Sequence, residues 1–202
     1  LLTFLDMSAA FDTIDHDILY NCLSSTYGLS GTVLSWFNSY LDNRSQCVSI
    51  NGTTSKDLPL QFGVPQGSVL GPILYTLYTM PMSKIISSHE INHSMYADDT
   101  QLHKSCPPSE LSSLSSDIHQ CCNAVKDWTQ RNKLKLNDDK TEILICGSSL
   151  KVRDIDLDCI QISGNNIPLS NKAKNLGVSL DSSLSILWNL KSTTLSEIST
   201  LS

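Results

Sequence analysis

The chain has 202 residues, 40% hydrophobic and 17% charged, enough for one domain with a real core and too few for two of ordinary size. That composition excludes a disordered tail or a coiled coil, and the formal charge of −6 weighs against a general nucleic-acid binder. No run of roughly 18 apolar residues is available to cross a bilayer, and Leu1-Leu2-Thr3-Phe4-Leu5 is too short for a signal sequence and lacks a basic flank.

A soluble, unsecreted protein of the nucleus or cytoplasm, with no membrane partner, is therefore expected. The sequence opens without Met, inside an expected strand, so a fragment of a longer protein is expected too. Seven scattered cysteines without Cys-x-x-Cys spacing read as reduced thiols. The acidic excess lies wholly in residues 1–103, with three basic against nine acidic side chains, whereas residues 104–202 hold eleven of each. Lys126, Arg131, Lys133, Lys135 and Lys140 are the candidates to meet phosphates, against the plain reading of a solvated helix end.

Leu1 to Asp6 is apolar, as in a strand buried on both faces, with Asp6 at its end. Helical spacing of Ile18, Leu19, Cys22 and Leu23 predicts a helix from about Asp15 to Tyr27, stopped by Gly28. A second helix carries Val33, Leu34, Trp36, Phe37, Tyr40 and Leu41, with Ser30 placed to cap it. Gln46–Ile50 and Leu58–Phe62 read as strands around Asn51-Gly52, the strongest short hairpin signal in the chain. Gly63-Val64-Pro65-Gln66-Gly67-Ser68 is a loop feeding an apolar helix from Val69 to about Ile86. Ser94 to Leu102 encloses Tyr96-Ala97-Asp98-Asp99, and two acidic residues in mid-run predict a tight hairpin turn. Leu111, Leu114, Ile118, Cys121, Val125 and Trp128 form one amphipathic stripe. Short strands follow at Lys133–Leu136, Glu142–Cys146, Ile160–Ile162 and Asn175–Leu180. From Asp181 onward Ser and Thr dominate and no pattern holds. This irregular alternation predicts an α+β fold, a mixed sheet covered on one side by helices.

Asp6, Asp98 and Asp99 carry the chemistry. One stands at the end of an expected central strand and two at a hairpin turn, so neighbouring strands would bring them together. Like charges so packed cannot all ionise unless a dense cation neutralises them. Mg²⁺ suits that role, because it takes oxygen ligands and completes its octahedron with water and substrate phosphate. Two such ions would activate an attacking hydroxyl and stabilise a leaving pyrophosphate, and the reaction implied is nucleotidyl transfer.

Leu5-Asp6-Met7-Ser8-Ala9-Ala10-Phe11-Asp12, Gly63-Val64-Pro65-Gln66-Gly67-Ser68-Val69-Leu70-Gly71-Pro72 and Tyr96-Ala97-Asp98-Asp99, in this order, resemble reverse transcriptases of non-LTR (LINE-like) retrotransposons. Leu136-Asn137-Asp138-Asp139-Lys140-Thr141-Glu142 and Asn175-Leu176-Gly177-Val178 resemble the two later motifs of the same polymerase palm. The resemblance covers residues 1–181, leaving 182–202 as a Ser/Thr-rich remnant. It implies an antiparallel or mixed palm sheet and an RNA-directed DNA polymerase that uses two Mg²⁺ ions, an RNA template, a DNA primer and deoxynucleoside triphosphates. Asp6 and Asp98 would bridge the metals, with Asp99 as the third carboxylate. Phe11 would be the aromatic gate against a ribose 2′-OH. Gln66 and Gly67 would lie against the incoming nucleotide and template, where glycine allows close backbone approach. Lys140 would stabilise or protonate the leaving pyrophosphate, and Asn175–Val178 would form the hairpin that supports the primer's 3′ end. On this resemblance the fingers and thumb of the parent polymerase are expected to lie outside the sequence given.

Plainer roles are open to several of these residues. Phe11 is also a candidate core ring and Lys140 a candidate surface lysine. Asp12 caps or braces the following helix, and Tyr96 packs under the turn or meets the primer. Two rival functions are weighed as well. His89-Glu90-Ile91-Asn92-His93 matches the zinc-protease pattern His-Glu-x-x-His. Three fixed letters arise by chance in roughly one chain of this length in 40, against about one in 800 for a single four-residue motif, and the pattern falls in an expected loop. The other rival is an inactive, truncated retroelement remnant, since an acidic palm without its clamp holds nucleic acid poorly.

Overall fold

The structure is a computed structural model that describes residues 1–148, 155, 157–162 and 164–184. The chain divides into two compact units. One comprises Leu1–Met7, Ile85–Lys126 and the residues from Leu136 onward, the other Ser8–Lys84 and Asp127–Lys135. Most of the Ser/Thr-rich segment 182–202 lies outside the described residues.

The first unit is built on a four-stranded antiparallel sheet. Its strands are β1 (Leu2–Leu5), β6 (Asn92–Tyr96), β7 (Asp99–His103) and β8 (Glu142–Leu144), in the order β6-β7-β1-β8. The apolar run at the start of the chain thus becomes an interior strand. Its two faces differ. Thr3, Leu5, Thr100, Leu102 and Ile143 share one face and are at most 3% exposed. The predicted stripe lies on α4 (Leu111–Arg131), and every one of its six side chains is buried. Burial pushes the Cys121 thiol up to about 11 and raises Cys122 further, so both are unreactive near neutrality.

The opposite sheet face carries Leu2, Phe4, Gln101, Glu142 and Leu144. There Phe4, Leu144 and Ala173 form a small core with Leu2, Cys146 and Leu180 packed against it. Ala173 and Leu180 belong to a hairpin of β11 (Lys172–Asn175) and β12 (Val178–Asp181), turned at Leu176-Gly177. The single strand expected over Asn175–Leu180 is therefore two strands and their turn. A further hairpin, β9 (Cys159–Ile162) with β10 (Asn165–Pro168), contains a strand that the polar Asn165-Asn166 and Pro168 hid from the sequence pattern. Lys133–Leu136 forms no strand. Lys133 takes a left-handed φ of 56° and only Leu136 bridges, to Met7. Leu134 and Leu136 are nonetheless buried, so their alternation reported burial rather than a ladder.

The second unit opens on a turn that leads into α1 (His16–Ser25), followed by α2 (Gly31–Leu41). Asp15 caps α1, its carboxylate accepting from the Ile18 N–H at 3.0 Å. Ser30 stands at the N-cap of α2 but makes no side-chain cap bond. The long hairpin pairs β3 (Ser49–Ile50) with β4 (Thr53–Thr54) around Asn51-Gly52, and β2 (Ser45–Gln46) with β5 (Leu58–Pro59) at its base. Phe62 is not in that ladder; it bridges Asp15. Every residue from Ser45 to Pro59 is exposed.

Helix α3 (Leu70–Ser88) contains Pro81. Proline has no N–H for the carbonyl four residues earlier, Leu77. The Tyr27 hydroxyl supplies the missing donor, reaching the Leu77 oxygen at 2.8 Å, and the Cys22 thiol is directed at the same oxygen at 3.6 Å, so the carbonyl is satisfied where the helix runs past the proline.

Candidate active site

Strand geometry places the acidic residues. The β1–β7 register pairs Phe4 with Gln101 and Leu5 with Thr100, so its next step sets Asp6 across from Asp99. Residues directly opposite one another project to the same face, here that of Phe4 and Gln101. The β6–β7 hairpin closes in two residues, Ala97 and Asp98, with Tyr96 paired to Asp99 and Ala97 in a left-handed φ of 51°. Asp98 is half-buried at the second turn position, one residue out of phase with Asp99. Tyr96 is 69% exposed, so it does not pack under the turn.

The third component comes from the segment after α4. The Asn137 N–H donates to the Asp6 carbonyl at 2.9 Å, seating the short 3₁₀ turn Asp138–Lys140 beside the end of β1. Lys140 Nζ then lies 3.3 Å from Asp6 Oδ2. These residues line a cavity of about 350 Å³ whose polar wall is Asp6, Asp99, Asp139, Lys140, Glu142 and Lys174. Lys126, one of the expected phosphate contacts, is instead paired with Asp138 at 3.0 Å.

The electrostatics are those of crowded carboxylates. Burial raises the Asp99 carboxyl above its ordinary range, and the charges of Asp98 and Asp6 raise it further, partly offset by Lys140. Asp6 Oδ2 is buried and makes no hydrogen bond, facing the Lys140 ammonium outside hydrogen-bonding geometry. Hard carboxylate oxygens, one of them buried without a hydrogen bond, fit a divalent cation such as Mg²⁺. The arrangement is not a ready-made cage: among the described residues, no group of three or more His, Cys, Asp or Glu side chains is arranged to hold a metal ion. Asp6 and Asp99 share the cavity, with Asp98 beside it rather than in its lining.

In the second unit, Phe11 is half-buried and stacks on Tyr75, ring centroids 4.7 Å apart. The Gly63–Gly67 loop is tied to the turn around Phe11, with Gly63 N–H donating to the Ile14 carbonyl at 2.7 Å and Val64 N–H to the Phe11 carbonyl at 2.9 Å. A Cβ at Gly63 would meet the Asp12 backbone at 3.0 Å, and its φ of 88° also favours glycine. Gln66 is exposed and donates to Asp12 Oδ1 at 3.3 Å. Asp12 therefore braces this loop instead of capping α1, which begins three residues too late for it. Gly67 has a φ of 79° with open space around it.

The zinc-protease pattern has no helix to present it. Helix α3 ends at Ser88, Glu90 takes a left-handed φ of 55°, and His93 lies on β6. Sequence reasoning missed Gln101, Glu142 and Lys174. Period-two counting from Asp99 reaches Gln101 on the same strand face, whereas nothing local marks Lys174.

Residues 1–180 match the family described as reverse transcriptase (RNA-dependent DNA polymerase). The chain is similar to the probable RNA-directed DNA polymerase from transposon BS of Drosophila melanogaster, 30% identical over 198 residues that make up 95% of this chain and 21% of that protein. It is also similar to the RNA-directed DNA polymerase from mobile element jockey of Drosophila funebris, 29% identical over 196 residues, 94% of this chain and 20% of that one. It spans about a fifth of the length of these relatives. Among solved structures it is similar to apo telomerase from Candida tropicalis truncated from its C-terminal domain, with a TM-score of 0.58 and 16% identity over 91% of this chain and 34% of that one. That likeness concerns the fold, and it agrees with the α+β palm expected from the sequence. With a family match running from β1 into β12, and mobile-element relatives along nearly all of its length, the chain belongs to the reverse transcriptase family.

Proposed function

We propose that this chain is the catalytic palm of a retrotransposon RNA-directed DNA polymerase acting inside the cell, in nucleus or cytoplasm. It would extend a DNA primer along an RNA template with deoxynucleoside triphosphates. The observation that carries the reading is the gathering of Asp6, Asp99 and Lys140 in one cavity, from three separate stretches of chain, by β-register and one main-chain hydrogen bond. Asp6, Asp98 and Asp99 would hold the Mg²⁺ ions, two in the two-metal form of this reaction. Bound there, they supply Lewis-acid activation of the primer 3′-hydroxyl and charge stabilisation of the leaving pyrophosphate. Lys140 is a 67% exposed ammonium beside Asp6, placed to donate to the pyrophosphate oxygens as negative charge develops. The Phe11 ring, steadied by Tyr75, would exclude a 2′-hydroxyl by bulk. Gln66 and Gly67 would meet nucleotide and template from a loop whose backbone is held against the Phe11 turn.

A second reading, an inactive remnant, is favoured by one observation: among the described residues no three acidic, His or Cys side chains are arranged to hold a metal ion. Primer extension on an RNA template, run with Mn²⁺-induced NMR broadening of the same chain, separates the two. Extension that vanishes in Asp98→Asn supports the polymerase. Broadening at Asp6 and Asp99 without extension supports the remnant, and absence of both removes the metal site. Phe11→Ala should admit ribonucleotides; unchanged sugar discrimination would take the gate away from Phe11.

A further inference from the structure

We infer that Gln101 is a positioning residue that sets the height of the β11–β12 hairpin tip over the acidic cavity; the inference rests on the polymerase reading. Across β7, β1 and β8, Gln101, Phe4 and Glu142 form one row on the open face of the sheet. The next row on that face holds Asp99 and Asp6, two residues along each strand and so roughly 7 Å away. The hairpin is seated on the row of Gln101. Ala173 and Leu180, directly paired, face the sheet and enter the Phe4–Leu144 cluster. Asn175, two residues beyond Ala173, keeps that orientation, and its Nδ2 donates to Gln101 Oε1 at 2.8 Å.

This bond differs from the other attachments in where it pulls. The apolar cluster lies over β1 and β8, and the Lys174 N–H reaches Glu142 on β8 at 3.4 Å. Asn175–Gln101 ties the hairpin to β7, the strand that begins with Asp99. It also acts at the last residue before the Leu176-Gly177 turn, where Leu176 takes a left-handed φ of 47° and is 55% exposed. Without it, the described attachments of the hairpin lie over β1 and β8, and the tip loses its tie to β7 beside Asp99. A primer terminus resting on that tip would then visit many heights, only one of them aligned for attack.

The test uses Gln101→Met, which keeps the length and removes the acceptor, alone and combined with Asn175→Leu. Amide hydrogen exchange over residues 172–181 reads the tie independently of catalysis. We expect exchange at Asn175–Val178 to quicken by about 3- to 10-fold, the range one hydrogen bond supports, while β1 and β7 amides stay protected and so certify folding. In single-nucleotide extension, KM for the primer should rise several-fold more than kcat falls. The double variant should be no worse than the worse single one, because both remove one contact. Unchanged exchange in Gln101→Met, additive losses, or a fall in kcat at constant KM would each overturn the assignment. A parent chain that extends no primer although its hairpin exchange depends on Gln101 would retire the polymerase reading instead, and the primer role with it.

Discussion

Two hairpins in this chain make opposite use of their sequences. The one around Asn51-Gly52 has the best turn residues in the protein, yet its ladders are two residues long and everything from Ser45 to Pro59 is exposed. The one around Ala97-Asp98 has no glycine and forces alanine into a left-handed conformation, yet its register runs unbroken through five pairs with Thr100 and Leu102 fully inside. Turn chemistry decides where a chain reverses; burial of the flanking strands decides how firmly it stays reversed. Where a turn must present carboxylates, favourable turn residues give way, and the strand behind it bears the cost.

The contrast is broken most directly by Leu102→Ala. This side chain is wholly buried, and its truncation should cost about 2–5 kcal/mol in denaturant unfolding. A loss near zero would mean that the active-site hairpin is no better packed than the exposed one. Next comes Asp99→Asn. The Asp99 carboxyl is raised in the folded chain, so the fold binds that proton more tightly than the unfolded chain does. Its contribution is favourable at pH below the ordinary carboxylate range and is lost as pH rises through the raised value. The melting temperature of the variant should therefore gain on the parent as pH climbs from 3 to 7; a difference independent of pH would contradict the crowding of Asp6, Asp98 and Asp99. The smallest effect belongs to Ile50→Ala, at 67% exposure, expected to change stability by less than about 0.5 kcal/mol. Brief trypsin treatment should sharpen the same point by cutting after Lys56 well before Lys104 or Lys126; simultaneous cleavage would deny the difference in firmness.

How much of this was legible beforehand follows the same division. The buried strand ending in Asp6, the stripe of α4 and the acidic turn were all readable, because burial imposes period two or 3.6 on the residues themselves. What escaped was long-range pairing. Gln46–Ile50 was matched to Leu58–Phe62 as one ladder, although Phe62 leaves it to bridge Asp15. Asp12 looked like a cap because capping is a local rule; its partner Gln66 lies 54 residues on. Likewise the ion pair between Lys140 and Asp6 and the bond between Asn175 and Gln101 depend on strand order, which no window of sequence carries. The site's charges were visible, and its choice of Asp99 over Asp98 to face Asp6 was not, because that turns on a single-residue phase in a two-residue turn.

Pro81 and Tyr27 carry a lesson about mutational history. The hydroxyl of Tyr27 is useful to Leu77 only because proline withholds its own donor. Tyr27→Phe in the present chain should leave the Leu77 carbonyl only the weaker Cys22 thiol, at 3.6 Å, and cost about 1 kcal/mol, whereas the same change made after Pro81→Ala should be close to silent in a thermal melt. The order in which these two positions drift therefore matters: phenylalanine costs less after alanine than before it.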